Sequence, residues 1–328
     1  STGAMRRQLE NGVKGLSMSL RLVLSVSVCA AALSWAGTAL ANDVEEGGAL
    51  TTVEGVVVTA RASEGSQLEV TQSGALGARS LLDTPYSVTV VTADDIEKRQ
   101  ANSVGQVFVN DPAVFSSAPS ATVNWWGTQI RGLGVRNYYI DNVPLLLYWG
   151  GDFPPEGVES VQALKGLTGF MYGFGSPGGI INYVVKRPTD KPLREVTVGY
   201  QANSVWSEKV DLGGRFGVND RFGYRINAVN EDGNTNEPNV HVRRQAFSLA
   251  TDFRITPDLT WNADVMYWML KSQGTIFGLS FASDLSIPPA SSVARNLAQP
   301  WSSHETDTLT VGTGVDYRIN DAWQASFK

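Results

Sequence analysis

The sequence predicts a secreted, β-rich chain in which a small α+β domain is followed by strands of a membrane-spanning antiparallel β-barrel. Three observations support this fold class: a basic and then apolar N-terminal stretch, a region of short mixed elements, and long strands in which apolar and polar residues alternate. The alternating strands are the strongest of the three, because a two-faced strand suits a wall between lipid and an aqueous lumen.

Residues 1–41 are interpreted as a secretory signal peptide. Arg6, Arg7 and Lys14 precede an apolar stretch, and Ala39-Leu40-Ala41 supplies an A-x-A cleavage site. The alternative is a membrane anchor, but the apolar stretch is short and Ser-rich for a full bilayer span. Residues 1–4 precede the first Met and are read as a leader or expression remnant. The one cysteine, Cys29, lies in this segment, so no thiol site is expected in the exported chain.

Composition excludes several classes of function. The net charge is -6 without a Lys/Arg-rich face, which argues against nucleic acid as a partner. Only two histidines are present, His241 and His304, and they lie far apart in the sequence, so a histidine metal centre or catalytic triad is not expected. The adjacent acids Asp94 and Asp95 fit the first turn of a helix better than a catalytic pair. We therefore expect no enzyme activity.

Residues 42–80 are predicted to be a flexible segment, because they are rich in Gly, Ser, Glu and Thr. This segment contains a short β-prone run, Glu54-Gly55-Val56-Val57-Val58-Thr59-Ala60. Such a run can add as a strand to the sheet edge of another protein, with main-chain hydrogen bonds providing affinity. It can equally be the first strand of the following domain, and the local pattern does not decide between the two.

Residues 81–190 have the pattern of a compact α+β domain. Residues 87–91 predict a strand, and Thr92 with the acids that follow it predicts a helix N-terminus. A second helix is expected at 104–109, ending before Asp111-Pro112. Further short strands are predicted at 129–131, 137–141, 158–164 and 179–186.

Residues 191–328 change to strict period-two alternation. In Phe222-Gly223-Tyr224-Arg225-Ile226-Asn227-Ala228 one face is apolar and the other is polar. The strands reach ten residues or more, whereas globular strands average about 5–6. Tight turns at 218–220, 256–258 and 320–321 alternate with longer links near 230–240 and 272–303. A soluble β-sandwich is the alternative, but long strands with alternating loop sizes favour an outer-membrane barrel.

Several motifs of the α+β domain occur in one order. They are residues 83–92, Gln129-Ile130-Arg131-Gly132-Leu133-Gly134, Tyr139-Ile140-Asp141-Asn142-Val143-Pro144, Leu164-Lys165-Gly166, Met171-Tyr172-Gly173, Ser176-Pro177-Gly178-Gly179-Ile180-Ile181-Asn182 and Lys186-Arg187-Pro188. Together they closely resemble the plug domain of TonB-dependent siderophore receptors. One departure is Asn142, which stands where Gly is usual, and Asn is well able to adopt a left-handed turn.

The resemblance implies a plug inside a barrel of about 22 strands, of which the first six or seven are expected here. It implies that Glu54–Ala60 is a TonB box, engaged by the periplasmic protein TonB through strand addition. The expected function is energy-coupled uptake of a ferric siderophore across the bacterial outer membrane. Iron would travel inside the ligand's chelate, so no protein cofactor or metal site is expected. Alternatives are a receptor for cobalamin, haem or a glycan, and, in a different class, a passive pore or adhesin.

The resemblance also assigns residues. Ligand contacts are sought in outward plug loops, where an aromatic platform suits a bulky ferric chelate; the candidates are Trp125, Trp126, Arg136, Tyr138, Tyr148 and Trp149. For Arg131 and Lys165 a plug–wall contact is favoured over ligand contact, because buried charges need partners. Four aromatics at strand ends, Trp206, Trp261, Tyr267 and Trp268, are expected in an interfacial girdle facing lipid. The plug's structural motif comprises Arg131, Gly132, Lys165, Gly166, Tyr172, Gly173, Pro177, Gly178 and Gly179.

Overall fold

A computed structural model describes the following parts of the chain: 70–71, 79–81, 84–116, 127–145, 153–166, 175–201, 203–275, 282, 284, 286, 296–320 and 323–328. The chain divides into two units, Ser1–Gln67 and Leu68–Lys328, and every described residue belongs to the second. The predicted signal peptide and TonB box therefore lie outside the described residues. After the resemblance above, residues 84–185 are called the plug, and strands β11–β17, from Leu193 onward, are called the wall.

The plug and its N-terminal flank contain short elements, as expected of an α+β domain. The strands are β1 Val70–Thr71, β2 Arg79–Ser80, β3 Ser87–Thr92, β4 Val114–Ser116, β5 Thr128–Ile130, β6 Leu133–Gly134, β7 Tyr138–Ile140, β8 Val143–Leu145, β9 Val158–Lys165 and β10 Gly179–Val185. The helices are α1 Ala93–Lys98 and α2 Val104–Val107, with a 3₁₀ turn at Pro155–Gly157. In the described part of the chain, none of the helices has the length and apolar character needed to cross a membrane.

The centre of the plug is a five-stranded sheet in the order β3-β9-β10-β7-β8. Every residue of β10 is buried, as is most of β9. A strand covered on both faces needs an almost continuous apolar run, and Gly179-Ile180-Ile181-Asn182-Tyr183-Val184-Val185 provides one. Strand β10, at the centre of the sheet, thus coincides with an apolar run of the plug sequence.

Both helices that the sequence predicts are present. Thr92 caps α1, its Oγ1 accepting a hydrogen bond from the backbone N–H of Asp95 at 3.1 Å. Ser103 caps α2 in the same way, with the N–H of Gln106 as donor. Helix α2 ends at Val107, two residues before the predicted end. The short strands β1, β2, β4, β6 and β8 were not predicted.

The wall is a meander of seven antiparallel strands, each paired with its neighbours in sequence. Its strands are β11 Leu193–Gln201, β12 Val205–Phe216, β13 Phe222–Asn234, β14 His241–Thr256, β15 Leu259–Gln273, β16 Ser303–Asn320 and β17 Trp323–Phe327. Six strands and the start of a seventh at Trp323 agree with the prediction. The link between β13 and β14 covers 235–240 rather than the predicted 230–240, because β13 continues to Asn234.

The two faces of the wall differ as the alternation predicted. Register pairs Glu231 with Arg244 and Ala250 with Asp264, so these residues share one face, and this inner face contacts the plug. The opposite, outer face carries exposed large apolar side chains; examples are Val196, Val198, Tyr200, Trp206, Phe253, Leu309 and Val311. A polar face toward a filled lumen and an apolar face away from it is the arrangement of an outer-membrane wall.

The expected aromatic girdle is only half correct. Trp206 and Trp261 are exposed on the outer face. Trp268 is buried on the inner face instead, where it packs against the plug. Tyr267 is also buried, and its hydroxyl donates to Asp307 on the adjacent strand. Consecutive residues of a strand point to opposite faces, so Tyr267 and Trp268 could not both belong to a girdle.

Candidate functional site at the plug–wall interface

The predicted site residues fall into two groups. Trp125, Trp126, Tyr148, Trp149, Tyr172, Gly173 and the segment Glu54–Ala60 lie outside the described residues, so their assignments stay predictions. Among the others, Arg136 is exposed and Tyr138 is half-buried in β7. The backbone N–H of Arg136 donates to Ser176 Oγ at 2.9 Å, and the Ser176 N–H donates to Asn137 Oδ1 at 2.8 Å. The loop before β7 is therefore tied to the Ser-Pro-Gly-Gly motif.

The glycines of that motif are needed where two strands meet. Gly179 has φ +135°, and a Cβ there would lie 2.0 Å from the backbone oxygen of Leu164. A Cβ on Gly178 would lie 2.8 Å from the backbone oxygens of Ile130 and Leu133. The N–H of Gly166 donates to the carbonyl of Gly178 at 2.8 Å, which joins the two motifs at the start of the β9–β10 pairing. Because a side chain at Gly178 or Gly179 would collide with the backbone of a neighbouring segment, these two glycines have a structural role.

Lys165 has its partner inside the plug rather than on the wall. Its Nζ lies 2.6 Å from a carboxylate oxygen of Asp111, and both side chains are buried. Burial alone would raise the pKa of Asp111, but hydrogen bonds from Lys165, Thr89 and the backbone of Ala113, together with the charge of Lys165, outweigh burial and lower that pKa. The expected plug–wall contact of Lys165 is therefore wrong: the residue has the partner that a buried charge needs, but that partner lies in the loop after α2 of the plug.

Arg131 occupies a turn. Its φ is +53°, its backbone N–H donates to the carbonyl of Ala113 at 2.7 Å, and the residue is exposed. A Cβ on Gly166 would lie 3.5 Å from Arg131 Nη1, so the guanidinium lies beside the Leu-Lys-Gly motif of the plug.

Asp141 and Asn142 form the turn between β7 and β8, with φ values of +47° and +66°. A two-residue hairpin in which both residues are left-handed favours Asn, Asp and Gly. The Asn142 N–H donates to Asn182 Oδ1 at 2.9 Å, and Asp141 Oδ1 accepts from the Val185 N–H at 3.1 Å. The expectation that Asn142 tolerates a left-handed turn is confirmed.

One buried contact between plug and wall is a cluster centred on Arg244 of β14. Its Nη1 and Nη2 donate to the two carboxylate oxygens of Glu156, in the 3₁₀ turn, at 2.9 and 2.7 Å. Nη2 also donates to Glu231 of β13 at 3.0 Å. The side chains of Glu156 and Arg244 are 11% and 7% exposed. A buried, bidentate arginine–carboxylate pair is a strong and directional contact.

Electrostatics keep Glu156 ionised. Burial alone would raise the pKa of its carboxyl, but attraction and hydrogen bonding from Arg244 outweigh burial and lower that pKa to about 2. Lys209 of β12 adds to the effect, its Nζ lying 3.4 Å from Glu156 Oε1. The plug carboxylate therefore meets two wall cations at neutral pH.

The linker 186–190 that leaves the plug is fastened to the wall by three of its side chains. Lys186 Nζ lies 2.8 Å from Asp211 of β12. Arg187 contacts Asp141 in the plug turn and donates to Asp264 of β15 at 2.9 Å, so one guanidinium joins plug, linker and wall. Asp190 accepts from Arg215 at 2.7 Å and from Arg254 at 2.9 Å.

An aromatic contact lies near the Arg244 cluster. The Phe153 ring of the plug lies 5.2 Å from Trp268 of β15, edge to face, and 4.9 Å from Tyr183 of β10. These ring contacts add apolar area between plug and wall.

Sequence reasoning did not single out Glu156, Arg244 or Trp268 as contact residues. No local pattern joins Glu156 to Arg244, because they lie 88 residues apart in the sequence. As to metals, the described residues contain no group of three or more His, Cys, Asp or Glu placed to hold an ion.

Comparisons with known proteins agree with this architecture. The family model "TonB-dependent Receptor Plug Domain" matches residues 80–180. Residues 80–180 are thus similar to the plug domain of TonB-dependent receptors. It is 28% identical to the ferrichrome receptor FcuA of Yersinia enterocolitica over 76% of this chain and 33% of the relative, and 24% identical to the ferripyoverdine receptor of Pseudomonas aeruginosa over 74% and 30%.

The solved structures show the same fold. The ferric preacinetobactin receptor BauA of Acinetobacter baumannii superposes with a TM-score of 0.71 and 26% identity, over 77% of this chain and 38% of that structure. The predicted fold class, a plug against strands of an outer-membrane β-barrel, is thus confirmed. The chain spans about a third of the length of the relatives named above.

Proposed function

We propose that this chain belongs to an outer-membrane receptor for TonB-dependent, energy-coupled uptake of a ferric siderophore. The observation that carries the proposal is the plug fastened to the polar inner face of strands whose outer face is apolar. Such a plug closes a pore while leaving contacts that can be broken and remade. The relatives named above are receptors for ferrichrome, ferripyoverdine and ferric preacinetobactin, which supports a ferric siderophore as the class of ligand.

The proposed mechanism has three steps. The chelate binds between the plug apices and the external loops, in contact with Trp125, Trp126, Tyr148 and Trp149, with Arg136 and Tyr138 beside them. Binding makes Glu54–Ala60 accessible to TonB, which adds a strand to it. Force from TonB then rearranges the plug, and the chelate passes. No bond in the substrate is made or broken, so the protein acts as a transporter and not as an enzyme.

Deleting Val56–Thr59 from the full-length receptor tests the coupling step. We expect surface binding of the radiolabelled chelate to be retained and its energised uptake to be lost, because only strand addition is removed. Deleting residues 46–49, a segment of equal length in the same region, serves as the control and should leave uptake intact. Energised uptake by the first variant would contradict the TonB-box assignment.

The class of ligand needs a separate test. Cells with and without the gene are compared for growth on ferric hydroxamate, catecholate and pyoverdine sources, and for use of cobalamin, haem and glycans. We expect a growth advantage on one group of ferric chelates. An advantage only on another solute would support the alternative receptor, and uptake that persists after the inner membrane is de-energised would indicate a passive pore. Attachment without any uptake would indicate an adhesin.

The aromatic platform can be tested by replacing Trp125 and Trp126 with Ala together. Loss of two stacking surfaces is expected to weaken chelate binding by about tenfold or more. Trp206→Ala is the control, because Trp206 is exposed on the outer face of the wall. Unchanged affinity in the double variant, in a binding assay on whole cells, would remove these residues from the site.

A further inference from the structure

A small cavity lies between the plug and the wall, beside the Arg244 cluster. Its volume is about 20 Å³, and its wall side is formed by β14 and β15, both of which have neighbouring strands on either side. The plug contributes Asn102, Phe153 and Pro154 to its lining. A space of this size can hold one water molecule, for which about 10–15 Å³ is enough.

Three buried polar atoms of residues that line this cavity lack hydrogen-bond partners among the residues that the structure describes. They are Asn102 Oδ1, Arg244 Nε and Trp268 Nε1. Arg244 and Trp268 are more than nine-tenths buried as whole residues. A buried donor or acceptor without a partner is costly, and native interiors rarely leave three together.

The three atoms have complementary roles. Arg244 Nε and Trp268 Nε1 are N–H donors, and Asn102 Oδ1 is an acceptor. A water molecule accepts two hydrogen bonds and donates two, which is the hydrogen-bonding capacity that these two donors and one acceptor require. We propose that the cavity is a specific binding site for one water molecule, which bridges Asn102 of the plug to Arg244 and Trp268 of the wall.

A small anion is the competing occupant, since a flipped Asn102 amide would present a third N–H group. The charges nearby argue against it. The Arg244 guanidinium already contacts two carboxylates, Glu156 and Glu231. An anion beside it would be repelled by both, whereas neutral water is not. The surroundings therefore favour water.

The bridge has a consequence for how the two parts separate. A direct hydrogen bond between plug and wall would leave two buried groups without partners when broken. Groups already joined through water can exchange one water for another as the surfaces move. Separating plug from wall at Asn102 should therefore cost little free energy, in contrast to breaking the neighbouring Glu156–Arg244 pair.

A high-resolution structure of the full-length receptor tests the site directly. We expect one ordered density peak within about 2.7–3.2 Å of all three atoms. A direct hydrogen bond from Arg244 Nε to Asn102, or a dry cavity, would overturn the proposal. Crystals grown in bromide add a second arm: an anomalous peak in the cavity would identify an anion and overturn it as well.

Substitutions test whether the three atoms share the molecule. Trp268→Phe removes the N–H while keeping an aromatic ring, and Asn102→Leu removes the acceptor. We expect the peak to weaken in each single variant and to vanish in the double variant, with effects on the unfolding midpoint that are not additive. Trp261→Phe, on the same strand, loses an N–H that donates to Thr313 and should leave the peak unchanged. Additive effects together with an unaltered peak would contradict a shared water.

Discussion

Two of the ion pairs that join the plug side of the chain to the wall have the same length. Glu156 Oε1 lies 2.7 Å from Arg244 Nη2, and Asp190 Oδ1 lies 2.7 Å from Arg215 Nε. They differ in burial, because the Glu156 side chain is 11% exposed and that of Asp190 is 75% exposed. One contact is enclosed between plug and wall, and the other is open to solvent.

The distance between the charges of an ion pair therefore does not by itself determine how much the pair stabilises the folded protein. In water the attraction between two charges is weak, and salt screens it further. In the interior, both charges have already lost their hydration, so removing one partner leaves the other without compensation. The buried contact should therefore resist separation of plug and wall, and the exposed contact should mainly guide the linker.

The largest expected effect follows from Glu156→Gln. The amide cannot balance the charge of Arg244. The ion pair between Arg244 and Glu231 would remain, so part of the stabilisation of the guanidinium is retained. We expect plug unfolding in denaturant to become easier by about 3 kcal/mol. A fluorophore on Val109→Cys, an exposed plug position, can report the transition, since the only native cysteine is Cys29.

The matched control is Glu159→Gln. Glu159 lies three residues further along the chain, is exposed, and undergoes the same change of charge. Its substitution should leave the unfolding midpoint nearly unchanged. If both variants shifted the midpoint equally, net charge rather than the buried pair would be the cause.

The Glu156 contact should also depend on pH. Its pKa in the folded protein is about 2, below the ordinary value of 4.5. A lowered carboxyl pKa contributes stability that is present above the unfolded-state value and is lost as pH falls toward the folded-state value. The difference in stability between wild type and Glu156→Gln should be constant above about pH 5 and shrink between about pH 4.5 and 2. A difference independent of pH across that range would show that folding does not lower the pKa of Glu156.

The wall could be predicted from the sequence because its information is local. In residues 222–228 the polarity of each side chain indicates the face of the strand on which it lies. No distant partner is needed to assign that face. The seventh strand at Trp323 was readable for the same reason. Trp268 was the exception. The alternation places it on the inner face, but its aromatic character and its predicted position near a strand end led to its assignment to the girdle.

The contacts of the plug could not be predicted in the same way. Lys165 finds Asp111, and Glu156 finds Arg244, through the packing of segments that are far apart in the sequence. A residue's type shows that it needs a partner, but it does not show which segment supplies one. The motif glycines were easier, because the backbone conformation and close approach at Gly179 exclude a side chain whatever surrounds it.

An intermediate effect is expected for Arg187→Met. The guanidinium joins Asp141 in the plug turn to Asp264 on β15, and its side chain is 37% exposed. Its removal leaves two carboxylates without their shared partner, and we expect a loss of about 2 kcal/mol in the same unfolding assay. Arg187→Lys should recover only part of this, because a single ammonium cannot reproduce the planar, two-sided contact.

Arg221→Met is the control for Arg187, since Arg221 is exposed in the turn between β12 and β13. The pair Arg187→Met with Asp264→Asn should cost less than the sum of the single changes, because both residues belong to one network. Additive effects would mean that Arg187 and Asp264 act independently of each other.

The smallest effect is expected for Asp190→Asn, and it is the sharpest test of the comparison. Arg215 would keep its two hydrogen bonds to Asp252, at 2.7 and 2.8 Å, so no buried cation loses its last partner. We expect no measurable shift of the midpoint at physiological salt and a slight one at low salt, since exposed charges are screened over about 8 Å at 0.15 M. Because Asp190 and Glu156 contact their arginines at the same distance, equal effects would make distance the deciding variable. A large effect of Glu156→Gln together with a small effect of Asp190→Asn would leave burial as the cause. The resistance to plug movement would then lie at Arg244 rather than at the linker.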